Sequence, residues 1–351
     1  MEQNMQLSKL PELLIPWYDK NRRDLPWRID REPYHIWLSE IMLQQTRVEA
    51  VKGYYSRFLQ AFPTIEDLAV ADDERLYKLW EGLGYYSRVR NLKKAAGVIM
   101  VQHGGAFPKG YEEVRALPGI GDYTAGAICS IAYDLPTPAV DGNVLRLMSR
   151  LLNDPTPIDT PALKKQITGI LANIYPKNAG AFTQALMELG ATLCGPNTKP
   201  DCANCPCATI CEGYRKGTAQ SLPVRRPKKE RRVEEKTVLI LRFGDRYALA
   251  KRPPDGLLAG MWQFPELPDK LELDAVLAEV EQMGLKPSDI LRQVERKHIF
   301  THIEWHMRGY YMEVSNPTDE FNWFTAEEID TVAALPTAFR QFWDEMKTFQ
   351  Q

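Results

Sequence analysis

Leu117-Pro118-Gly119-Ile120-Gly121 is the stretch on which the fold turns. It lies between two segments of helical spacing, which makes it the hairpin of a helix–hairpin–helix element at about residues 111–133. Its glycines let the backbone turn tightly. They also leave the N–H groups of Gly119 and Gly121 facing outward at the start of the next helix, where they can grip a phosphate. An ordinary tight helical turn with a Pro-Gly start would look the same locally. The charge distribution favours the phosphate reading. Lys and Arg outnumber Asp and Glu by five over residues 1–236 and are outnumbered by seven over 237–351, although the whole chain carries only −2.

Around the hairpin, from about Pro11 to Glu188, apolar residues recur at helical spacing, as in Ile36, Leu38, Ile41 and Met42, or Leu145, Leu147, Met148, Leu151 and Leu152. Residues 1–212 are therefore expected to be all-α. Residues 213–236 contain Pro223, Pro227 and a charged run from Arg225 to Arg232, and read as an exposed linker. Strand-like runs at 237–241, 247–250 and 305–314, with a helix-like run at 271–283, make 237–351 a small α+β domain. The chain of 351 residues is long enough for such a multidomain arrangement. Met1 to Leu10 is polar and no apolar run approaches membrane-spanning length, so a cytoplasmic protein without a membrane partner is expected.

Cys194, Cys202, Cys205 and Cys211 crowd into one loop-rich stretch, residues 194–211. Thiolates packed so closely repel one another unless a cation or an iron–sulfur core takes up the charge. The spacing C-x7-C-x2-C-x5-C lacks the paired knuckles of a zinc ribbon and suits a [4Fe–4S] cluster better. Cys207 sits between two of the four and could compete as a ligand, whereas Cys129 in its apolar run is most simply a buried free thiol.

Two carboxyls stand out. Asp141 opens a helix and is at least an N-cap, but a carboxylate held by helix N–H groups stays ionised and can stabilise or attack an oxocarbenium ion. Glu40 has Ile36, Trp37 and Leu43 as helical neighbours, a setting that protects a proton and suits a general acid. It could instead point along the helix margin and pair with Arg47. Opposed environments of this kind are what glycoside chemistry needs.

Together with Leu25-Pro26-Trp27-Arg28, the run Trp37 to Thr46, Trp80 to Arg88, the hairpin through Tyr123, Val140-Asp141-Gly142-Asn143 and the cysteine loop, these residues resemble the helix–hairpin–helix DNA glycosylases, specifically the adenine DNA glycosylase (MutY) family. The likeness covers nearly the whole chain. It implies a helix–hairpin–helix glycosylase core with a [4Fe–4S] loop, joined to a Nudix-like (MutT-like) domain. The implied reaction is excision of adenine mispaired with 8-oxoguanine or guanine in duplex DNA, by a monomer associated with the nucleoid. Glu40 would be general acid and then base, and Asp141 would stabilise or trap the sugar cation. Tyr123 and Asn143 would orient Asp141, and Leu25, Trp27, Arg28 and Gln184 would line the adenine pocket. Gln45, Tyr85 and Arg88 would contact DNA, the first two as wedges. Phe300, Thr301 and His302, helped by His298, would read 8-oxoguanine. Tyr123 stands where bifunctional relatives carry a Schiff-base lysine, implying little or no strand cleavage.

Two departures from that pattern are visible: the gap between Cys194 and Cys202 is one residue longer than usual, so its loop must bulge, and Thr301 stands for the family's serine. Three other functions compete. A thymine or uracil mismatch glycosylase also fits the hairpin, but does not use a lesion-reading domain. A nucleotide pyrophosphatase would need the Nudix box, of which Gly260 and Glu266 keep the opening while the segment Asp274 to Glu279 supplies too few oxygens. A non-catalytic DNA-binding protein would leave Glu40 as a core-margin residue.

Overall fold

The structure, a computed structural model, describes residues 6–196, 199–227 and 230–349. The chain divides into two compact units, one of Met1–Val70 with Arg90–Pro227 and one of Ala71–Val89 with Lys228–Gln351. The second unit thus takes in residues 71–89 as well.

The helices of the first part are α1 (Leu10–Asn21), α2 (Pro33–Leu43), α3 (Val48–Ala61), α4 (Ile65–Ala69), α5 (Asp73–Trp80), α6 (Ser87–Gln102), α7 (Tyr111–Arg115), α8 (Asp122–Tyr133), α9 (Gly142–Leu152), α10 (Pro161–Ala172), α11 (Ala179–Ala191) and α12 (Glu212–Arg215). The expected hairpin joins α7 to α8. Gly119 sits there at φ +76, and a Cβ on it would meet Asn91 Cβ at 2.6 Å, so only glycine makes this turn. Val144, Leu147, Met148 and Leu151 of α9 pack with Phe182, Ala185, Leu186 and Leu189 of α11 in a core that also holds Leu10 and Leu14 of α1. That packing fixes the start of α9 beside α11.

The linker is shorter than expected. Ala219 and Leu222 are buried, Thr218 Oγ1 donates to Asn153 Oδ1 at 2.5 Å, and Ile158 N donates to Val224 O at 2.9 Å. These anchors hold the chain on the first unit nearly to Arg225. Lys228 and Lys229 of the charged run lie outside the described residues.

The second unit is a mixed sheet of β1 (Arg232–Phe243), β2 (Arg246–Lys251), β3 (Trp262–Gln263), β4 (Glu266–Pro268), β5 (Pro287–Ile299), β6 (Ile303–Val314) and β7 (Asn322–Thr325), with α13 (Leu273–Gln282), α14 (Ala326–Thr331) and α15 (Thr337–Phe349). Its main path runs β3-β2-β1-β6-β5, with β1 and β6 parallel and β5 antiparallel to β6. Alternate residues of a strand face opposite ways. Val238 and Ile240 therefore pack with Phe339, Phe342 and Trp343 of α15, while Leu239 and Leu241 pack with Val276 and Val280 of α13. Coverage of both faces explains the unbroken apolar run at 237–241.

Candidate active site

Glu40, Asp141, Tyr123 and Asn143 line one cavity of about 480 Å³, within the size range of small-molecule sites. Glu40, near the end of α2, is only 6% exposed, and the Tyr123 hydroxyl donates to its Oε2. Burial lifts Glu40 to about 7; the Tyr123 hydrogen bond opposes the rise, the charge of Asp141 adds to it and that of Arg28 subtracts. Asp141 caps α9, accepting from Val144 N at 2.8 Å and from Asn143 Nδ2 at 2.6 Å. Enclosure by protein raises its carboxyl too, against these donors and the nearby Arg146 charge.

Two expectations are corrected here. Burial does not separate the acids, because it raises both; their partners differ, the negative charge of Asp141 raising Glu40 further while amide N–H groups and the Arg146 guanidinium oppose the rise at Asp141. The Tyr123 hydrogen bond, moreover, goes to Glu40, leaving Asn143 as the side chain that orients Asp141.

Asn143 is itself held. Its Oδ1 accepts from Arg146 Nη2 at 2.8 Å, and the same guanidinium donates to Gly190 O at 2.5 Å and Cys194 O at 3.0 Å. A Cβ at Gly190 would lie 2.8 Å from Asn143 O, so glycine is what lets α11 approach so closely. One turn further along α9, Arg150 Nη1 reaches Cys194 Sγ at 3.1 Å and Cys194 O at 2.8 Å. Helix α9 thus links the start of the cysteine loop to Asp141. Arg146→Met should leave Gly190 O and Asn143 Oδ1 without donors and cost about 2–4 kcal/mol, measured by urea unfolding.

Cys194, Cys202, Cys205 and Cys211 line a single small cavity with Leu147, Leu151, Leu193 and Arg150. All are free thiols. Cys207 does not line the cavity; it is fully buried and hydrogen-bonds to Cys205, whose thiol it helps to hold low. Among the described residues no group of three or more Cys, His, Asp or Glu side chains is gathered closely enough to hold a single metal ion. The four cysteines share the lining of this one cavity, and four thiolates are a donor set that fits an iron–sulfur core. Asn197 and Thr198, in the longer first gap, lie outside the described residues.

Leu25, Trp27, Arg28 and Gln184 line the same cavity as the two acids. Gln184 Oε1 accepts from Tyr18 OH at 3.0 Å, and Arg28 lies over the Tyr18 ring at 5.4 Å. Sequence reading missed Glu188. This cavity-lining carboxylate is fully buried on α11 and takes Arg23 Nε at 2.7 Å and Arg28 Nη2 at 2.7 Å. Its one detectable signal is a Glu four residues after Gln184 in an otherwise apolar run.

Gly119, Gly121 and Gln45 are exposed, Gln45 in the left-handed region at φ 58. Tyr85, in the second unit, is 46% exposed with φ 47, and its hydroxyl lies 2.9 Å from Thr301 Oγ1. Arg88 does not fit the DNA surface expected for it. It is 8% exposed, donates to Leu83 O at 2.9 Å and Gly84 O at 3.1 Å, and stacks on Trp80, so it braces the turn that presents Tyr85. Phe300, Thr301 and His302 form the turn between β5 and β6, closed by Phe300 N donating to Ile303 O at 2.9 Å. Thr301 and His302 are exposed, while Phe300 packs edge-on between His298 and Trp305. Glu266 Oε1 pairs with Lys236 at 3.2 Å and Arg252 at 3.3 Å, contacts that brace neighbouring strands.

Residues 38–172 match the HhH-GPD superfamily base excision DNA repair protein family and residues 237–345 match a NUDIX domain. The chain is similar to the adenine DNA glycosylase of Homo sapiens, 34% identical over 93% of this chain and 72% of that protein. It is also similar to that of Buchnera aphidicola subsp. Baizongia pistaciae, 30% identical over 96% and 97%. Among solved structures, a thermostable thymine-DNA glycosylase is matched at 26% identity and TM-score 0.55, over 62% of this chain and all of that one. An endonuclease III–DNA covalent intermediate is matched at 23% identity and TM-score 0.52, which shows the shared helical fold.

Proposed function

Because the chain belongs to the adenine DNA glycosylase family, and is therefore a hydrolase of N-glycosyl bonds in base excision repair, we propose that it excises adenine mispaired with 8-oxoguanine or guanine in duplex DNA, using Glu40 and Asp141. The observation that carries this reading is the meeting of the two carboxyls, Tyr123, Asn143 and the pocket residues Leu25, Trp27, Arg28 and Gln184 in one cavity.

The target adenine leaves the stack to enter that cavity, because its glycosidic bond is out of reach within the duplex. Gln45 and Tyr85 fill the gap as wedges, and the hairpin amides of Gly119 and Gly121 hold the backbone. Glu40, carrying its proton near neutral pH, gives it to adenine N7 as the C1′–N9 bond breaks. The bonding pair leaves with the base. Asp141 balances the oxocarbenium charge or bonds to C1′, and Asn143 keeps its oxygen aimed. The ionised Glu40 then takes a proton from water, whose hydroxyl adds to C1′. Tyr123 offers no amine for a Schiff base, so strand cleavage stays weak and the enzyme is monofunctional.

Cys194, Cys202, Cys205 and Cys211 would hold a [4Fe–4S] cluster, which when bound supplies charge neutralisation to the thiolates and a rigid brace for the loop. The protein acts as a monomer on nucleoid DNA in the cytoplasm. Phe300, Thr301 and His302 read the base opposite. Thr301→Ala should lower discrimination between 8-oxoguanine and guanine by about 1–3 kcal/mol, seen as a ratio of affinities; equal loss on both duplexes would contradict the reader role.

The deciding assay incubates the protein with duplexes bearing adenine opposite 8-oxoguanine, guanine, thymine or cytosine, and others bearing thymine or uracil opposite guanine, then reveals abasic sites with alkali. Excision of adenine opposite 8-oxoguanine and guanine supports the reading. Preferential release of thymine or uracil contradicts it.

A further inference from the structure

We infer that Glu188 is a positioning residue for excision, its carboxylate tying Arg28 in place and cancelling Arg28's charge at the wall of the cavity where a purine cation must form. The inference rests on the proposed role of Glu40 as the acid. Glu188 lies one helical turn after Gln184 on α11, with its side chain fully buried. It accepts from Arg23 N at 3.1 Å, Arg23 Nε at 2.7 Å, Arg23 Nη2 at 2.9 Å and Arg28 Nη2 at 2.7 Å. Arg28 Nη1 donates to Arg23 O at 3.1 Å. Two of its nitrogens are thus fixed before any base arrives. Burial would raise the Glu188 carboxyl, but these donors outweigh it and hold it at about 2, so the charge is permanent.

The two arginines differ in what they can do without Glu188. Arg23 is 37% exposed on its side chain and can hydrate, whereas Arg28, at 11%, has far less access to water. Loss of the carboxylate would leave an uncompensated guanidinium on the wall of the cavity. In that low-dielectric setting it would repel both the N7-protonated adenine and the oxocarbenium sugar, which are cations. It would also make the proton of Glu40 easier to lose. The groups facing Glu40 are Tyr123 of α8, Asp141 at the start of α9 and Arg28; those facing Glu188 are Arg23, Arg28 and Tyr18. Arg28 is the cation common to both sets. Neutralised by Glu188, it retains N–H groups to offer the base without opposing the charge the reaction creates.

The test is single-turnover excision of adenine opposite 8-oxoguanine across pH 5–9, in the intact protein and in Glu188→Gln, Glu188→Asp, Arg28→Gln and Glu40→Gln. Glu188→Gln should slow excision and move the alkaline limb down by about one pH unit; Glu188→Asp should restore the limb. Arg28→Gln should move it upward, which keeps the inference testable if Glu188→Gln does not fold. A Glu188→Gln protein that is slower at every pH with an unmoved limb, or an Arg28→Gln limb that stays put or falls, would overturn the inference and show a merely structural carboxylate. Excision retained in Glu40→Gln would overturn the reading of Glu40, and this inference with it; abolished excision there with unmoved limbs elsewhere overturns only the inference.

Discussion

Glu40→Gln is expected to reduce adenine excision by about 10²–10⁴-fold while leaving binding to the mispaired duplex intact. The change is nearly isosteric, and the Tyr123 hydroxyl that donates to Glu40 can donate to the amide oxygen instead. What disappears is a proton that can be given to N7 and a base that can accept one from water. Stability should not suffer. The carboxyl is raised to about 7 in the fold from an ordinary value of 4.5, so the folded state binds its proton more tightly and loses stability as pH rises between the two. At pH 8 the glutamine protein should therefore unfold at the same temperature or a higher one. Wild-type excision, or loss of binding with loss of excision, would remove Glu40 from the role of acid.

Asp141→Asn should cost about 10²–10³-fold in excision, for a different reason. Asparagine can still accept from Val144 N, so the cap on α9 survives in part. The anion opposite the developing sugar cation does not. The new amide would also set one –NH₂ against Asn143 Nδ2, which now donates to Asp141 Oδ2, so a stability loss of about 1 kcal/mol is expected. A second signature follows from the mutual influence of the acids. Asp141 helps to raise Glu40, so its neutralisation should shift the alkaline limb of any residual activity downward. Full activity in Asp141→Asn would reduce Asp141 to a helix cap.

Local pattern made much of the fold readable. The hairpin at 117–121 depends on a glycine with φ +76 against Asn91, a requirement that shows directly as residue type. The apolar run 237–241 marked a strand covered on both faces. β5 escapes a reading of the pattern because, over Pro287–Ile299, Val294 is its one buried residue and the alternation is faint; its ladder to β6 holds it in place. The shortened linker was hidden for a similar reason, since its anchors Ala219 and Leu222 are single buried residues in a polar stretch.

The candidate site was legible where one helix or turn supplies the signal. Glu40 in its apolar niche and Asp141 at a helix start are both of that kind. Glu188 and Arg146 were not, because what matters in each is a partner far away in sequence: Arg23 and Arg28 for one, Gly190 and Cys194 for the other. Arg88 misled for the converse reason. A basic residue beside an exposed turn looks like a phosphate contact until Leu83 O, Gly84 O and the Trp80 ring are seen to enclose it.

The most direct test of the paired acids is the pH dependence of single-turnover adenine excision by the unmodified protein. With Glu40 required in its protonated form and raised to about 7, the rate should fall as pH rises through that value. With Asp141 required as the anion and raised above 3.8, an acid limb should also appear above the usual aspartate range. A rate that stays level or climbs from pH 6 to 9 would contradict Glu40 as the proton donor, and with it the division of labour between the two carboxyls.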